Sequence, residues 1–70
     1  MEINNENDVA TALQLWQGLS KPARVSRARK SIEKLEMNQM YYEQKGNEKS
    51  AGRTGACIQI IKKFLVSCET

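Results

Sequence analysis

Residues 23–45 contain neither proline nor glycine, and their apolar positions recur at three-four spacing: Val25, Ala28, Ile32, Leu35 and Tyr42, with Gln39 in the one polar slot. This is the pattern of a helix with one buried stripe, heptad-like over nearly three heptads. At the helical rise such a segment spans roughly 35 Å. A chain of 70 residues makes one domain at most. Within it, a second long helix running back along the first is expected to cover that stripe. The sequence therefore predicts an all-α fold, built on a long antiparallel helical hairpin.

The boundaries of the hairpin follow from local chemistry. Ser20 is a competent N-cap, and Pro22 falls in the first turn, where its missing N–H costs nothing. Gly46-Asn47 supplies a stop, since glycine readily takes the left-handed conformation that ends helices. Residues 46–55, with three glycines among polar neighbours, read as the one clear loop. The third helix is then expected from about Thr54 to Ser67. It carries Cys57, Ile58, Ile60, Ile61, Phe64, Leu65 and Cys68 on a broad apolar arc, with Gln59, Lys62, Lys63 and Val66 opposite.

Upstream, residues 1–7 read as a flexible N-terminal segment. Asn7 or Asp8 can cap a short helix over residues 8–18, whose Val9, Ala12, Leu13, Trp16 and Leu19 share one arc. The expected architecture is a single domain, residues 1–70. In it the short N-terminal helix packs on the hairpin as a three-helix bundle, with Trp16 sealing the junction. The alternative is a two-helix hairpin with a loose N-terminus, which needs dimerisation to complete its core.

Several activities are disfavoured by what is missing. The chain has no histidine, so the usual general base and every Ser-His or Cys-His pair are absent. Cys57 and Cys68 match no zinc pattern. On one helix they stand about 16 Å apart along the axis, beyond the reach of a disulfide. Gly46 to Thr54 superficially suggests a phosphate loop. The Gly-x4-Gly-Lys-Ser/Thr pattern is not met, because Arg53 stands where the lysine belongs and a helix precedes. No catalytic site, metal or cofactor is expected, and a core this small leaves little room for a substrate pocket. The acidic, polar start has neither the basic nor the apolar region of a signal peptide, no apolar run approaches a membrane span, and no Asn-x-Ser/Thr sequon occurs. With two free thiols, this points to the cytoplasm.

Charge is segregated along the chain although the total is only +3. Residues 1–19 hold Glu2, Glu6 and Asp8 and no cation, whereas residues 20–34 hold Lys21, Arg24, Arg27, Arg29, Lys30 and Lys34 against Glu33 alone. Glu33 and Glu36 share a helix face with Arg29 and are expected to form exposed ion pairs with it. On the wheel of the second helix, Lys30, Lys34, Met37 and Tyr41 form another stripe, away from the Val25–Tyr42 seam, with Met40 beside it. A helix apolar on two faces needs two neighbours. Either the first helix covers Met37, Met40 and Tyr41, or another molecule does.

The primary expectation is a non-catalytic protein-binding module, an adaptor, small chaperone or regulator, using Lys30, Lys34, Met37, Met40 and Tyr41. Self-association into a homodimer is the variant of that idea. The alternative is a nucleic-acid-binding regulator, using Lys21, Arg24, Arg27, Lys30, Lys34 and Arg53 against phosphates. It lacks a helix-turn-helix signature and stacked aromatics. In length and apolar spacing, residues 20–67 resemble the small helical co-chaperones of type III secretion needles. Small phage- or plasmid-encoded regulators fit equally, and neither likeness carries a motif that assigns residues.

Overall fold

The computed structural model describes residues 3–69. It is a three-helix bundle, α1 (Glu6–Gln17), α2 (Lys21–Gln44) and α3 (Glu48–Glu69), with principal extents of 38 × 19 × 17 Å set by the hairpin. The bulk of the packing is between α2 and α3, which run antiparallel, and α1 lies across them, more on α3 than on α2. Among the described residues no strand occurs, and no helix is long and apolar enough to cross a membrane.

The core sits where the three apolar stripes meet. Val9 and Ala12 come from α1, Ala28, Ile32 and Leu35 from α2, and Cys57, Ile58 and Ile61 from α3. Trp16 closes the α1–α3 junction against Phe64, with ring centroids 6.1 Å apart. Near the other end of α1, Ile3 is buried in the same core. The reading of residues 1–7 as a flexible segment does not hold for Ile3, a core residue, or for Glu6 and Asn7, which already belong to α1, and Met1 and Glu2 lie outside the described residues. The N-cap is Asn5 and not Asn7 or Asp8. Its side chain accepts from the Asp8 N–H at 2.9 Å, and the Asp8 carboxylate in turn accepts from the Asn4 N–H at 3.0 Å. That reciprocal arrangement satisfies two free backbone donors and fixes the angle at which Ile3 enters the core.

α2 begins as its sequence dictates, with extended Ser20 at the N-cap and Pro22 in the first turn, although the Ser20 side chain makes no capping bond. Its end is closed by a Schellman arrangement. Gly46 takes φ +74°, the Asn47 N–H reaches the Tyr42 carbonyl at 2.9 Å, and the Gly46 N–H reaches that of Glu43 at 3.1 Å.

The expected ten-residue loop does not exist. Only Lys45, Gly46 and Asn47 connect the long helices, and α3 starts six residues earlier than predicted, at Glu48. Asn47 ends the turn and caps the new helix at once, its side chain accepting from the Ser50 N–H at 3.1 Å. Gly52 and Gly55 therefore lie inside a helix, at a cost of about 1 kcal/mol each relative to alanine. Packing offsets this. Ala51 and Thr54 are buried, and within α3 the Thr54 hydroxyl donates to the Ser50 carbonyl at 2.9 Å. Gln39, the polar member of the α2 seam, donates from Nε2 to the Ala51 carbonyl at 3.3 Å. A Cβ at Gly55 would stand only 2.8 Å from that nitrogen, so glycine there lets the Gln39 amide lie against α3.

The ion pairs also differ from expectation. Arg29 reaches across the hairpin to Glu69 at 2.6 Å, and Glu36 lies 3.9 Å from Lys62, so each joins α2 to α3 instead of linking neighbours along α2. Both pairs are substantially exposed, and each contributes at most about 1 kcal/mol.

Candidate interaction face on the second helix

At a hundred degrees per residue, the buried positions Ala28, Ile32 and Leu35 put one side of α2 onto α3. Met37 and Tyr41 fall on the opposite side and Met40 beside them. They are 72 %, 56 % and 60 % exposed respectively. α1 does not reach them, because Val9, Ala12 and the Trp16–Phe64 contact hold it on the other side of the hairpin. One turn of α2 thus carries two methionines and a tyrosine in water. Isolated exposed apolar residues are ordinary, but three neighbouring ones form a patch.

Tyr41 is positioned by its neighbours. Its ring meets Tyr42 edge-on, with centroids 5.8 Å apart and planes at 67°, and the Lys45 ammonium stands 5.7 Å from its centroid. Tyr42 is half-buried on the seam side, so it ties the exposed ring to the core. Lys45 was not among the residues expected from the sequence. The signal was its place four residues after an aromatic on a helix, where a cation meets the ring face.

The structure disperses the basic residues of the nucleic-acid alternative. Arg27, Lys30 and Lys34 are exposed along α2 and continue the stripe that ends in Met37 and Tyr41, and Lys21 is exposed at the start of the helix. Arg24 is half-buried, with its Nε enclosed and without a hydrogen-bond partner among the described residues. Arg53 lies on α3, lining a small polar hollow with Asn38, Tyr42 and Asn4. Only three of the six cations, Arg27, Lys30 and Lys34, therefore share the exposed row.

Neither cysteine lies on this face. Both are free, Cys57 buried and Cys68 half-buried. Burial pushes the Cys57 thiol above its ordinary value of 9.0. The nearby Glu6 and Asp8 carboxylates add to that shift, and Arg53 opposes it. The neutral thiol is thus favoured over the thiolate, which disfavours reaction at this sulfur. Among the described residues, no group of three or more cysteine, aspartate or glutamate side chains is placed to hold a metal ion. In comparisons with known proteins, the chain matches no family model, no curated protein and no solved structure.

Proposed function

We propose that this chain is a non-catalytic protein-binding module, an adaptor or regulator of a larger assembly, that docks its partner on the outward face of α2. The observation that carries this reading is the exposure of Met37, Met40 and Tyr41 together on one turn, opposite a core that α1 and α3 already fill. Methionine adapts to a partner surface through its flexible thioether, and a held tyrosine gives a large contact area at low entropic cost. Lys30 and Lys34 form the rim and orient the partner. The free thiols suit a reducing compartment such as the cytoplasm.

The test is affinity capture from a cell extract with the native chain and with the double variant Met37→Ala/Tyr41→Ala. The expected result is loss of the captured protein with unchanged helicity. Identical capture by both chains removes the reading.

The nucleic-acid alternative retains one observation in its favour, the exposed row Arg27, Lys30 and Lys34. It predicts duplex binding that weakens steeply with salt. It leaves the apolar turn next to that row without a role.

A further inference from the structure

The charge on this face identifies the kind of protein that fits it, an inference that rests on the protein-binding reading above. Arg27, Lys30, Lys34, Met37, Tyr41 and Lys45 follow one another at steps of three or four residues, so they form a single ridge along α2. From Arg27 to Tyr41 the ridge is roughly 21 Å long. Among the described residues none of its cations has an ion-pair partner, whereas on the flank facing α3 Arg29 is paired with Glu69 and Glu36 with Lys62. Two ion pairs thus stand on the flank facing α3, whereas among the described residues the cations of this ridge are left without one, with the exposed Glu33 beside Lys30, and the ridge ends on an apolar turn.

We infer that the occupant of the ridge is an acidic amphipathic helix. Its carboxylates lie along Arg27, Lys30 and Lys34, and its apolar anchor covers Met37 and Tyr41. A helix repeats its side chains every turn, in step with the ridge, and packs by setting its own ridge beside this one. An extended strand repeats at nearly 7 Å on one face and falls out of step within a few residues. A second copy of this chain is a poor occupant. Laid antiparallel on the same ridge it brings Arg27 towards Lys45, and laid parallel it sets each cation against itself. A nucleic acid would match the cations but leave Met37 and Tyr41 uncovered.

The test uses the full chain, isotopically labelled, with two synthetic helical peptides. One carries glutamates along one ridge and leucines at its end, and the other is identical except for lysine in place of glutamate. The acidic peptide is expected to shift the amides of α2 from Arg27 to Tyr41 saturably and to bind on the order of tenfold more tightly than the basic one. In the Lys30→Glu/Lys34→Glu variant, whose fold is checked by circular dichroism, the preference should reverse. Equal binding of both peptides overturns the inference while leaving the protein-binding reading intact. Displacement of the acidic peptide by duplex DNA or by anionic vesicles at physiological salt overturns the inference too, as does a dimer that shields Met37 and Tyr41 in sedimentation and footprinting. Failure of the acidic peptide to move α2 amides also overturns it. Insensitivity of captured partner to the Met37→Ala/Tyr41→Ala change would bring down the wider reading as well.

Discussion

Replacing Gly52 by alanine should make this protein more stable, and replacing Gly55 should not. Both glycines lie inside α3, so each substitution gains about 1 kcal/mol from helix propensity. At Gly52 nothing stands within 4 Å of the new Cβ, and the gain is kept. For a domain of this size it corresponds to a rise in melting temperature of about 4–8 °C per kcal/mol. At Gly55 the Cβ would come to 2.8 Å from Gln39 Nε2. The flexible Gln39 end must move away and give up its 3.3 Å bond to the Ala51 carbonyl. Losing that part-buried bond costs about 0.5–1.5 kcal/mol, which cancels the propensity gain. Thermal and urea unfolding followed by far-ultraviolet circular dichroism measures both. An unchanged or lowered melting temperature for Gly52→Ala would refute the helical start at Glu48 and restore the loop expected from composition. A gain at Gly55 equal to that at Gly52 would refute the packing of Gln39 on α3.

Other perturbations follow from the same structure. Ile61 is fully buried at the centre of the core, so Ile61→Ala should cost about 2–5 kcal/mol and leave a domain this small largely unfolded, measured by loss of helicity at room temperature. The Cys57 thiol has its folded pKa raised above 9.0, so it contributes stability that is complete below that pH and is lost as pH rises above it. Unfolding curves of the native chain should weaken above pH 9.0 more than those of Cys57→Ser, and equal weakening would contradict the assignment. Under native conditions a thiol reagent should label Cys68 well before Cys57, and mass spectrometry of proteolytic fragments reads the order.

Much of this architecture was legible because it rests on one period. The stripe from Val25 to Tyr42 names α2, and its length demands a returning partner. The start of α3 was hidden because Gly46, Gly52 and Gly55 signal a loop locally. The compensating facts, burial of Ala51 and Thr54 and the reach of Gln39 across the hairpin, are tertiary. The N-cap of α1 was hidden for a different reason. Asn4, Asn5, Asn7 and Asp8 are all competent caps, and burial of Ile3 selects Asn5. Ion pairs read along one helix failed likewise, since Arg29 and Glu36 find partners on α3 that lie far away in sequence. The second apolar face of α2 was visible on the wheel. Where α1 would land was not, because that depends on Trp16 meeting Phe64.

Hydroxyl-radical footprinting of the two α2 methionines, alone and in the captured complex, tests the account at its centre. In the free chain Met37 and Met40, 72 % and 60 % exposed, should oxidise readily, and both should be shielded once the partner is bound. Equal oxidation in the free and bound states would show that the partner sits elsewhere and would contradict the assignment of this face.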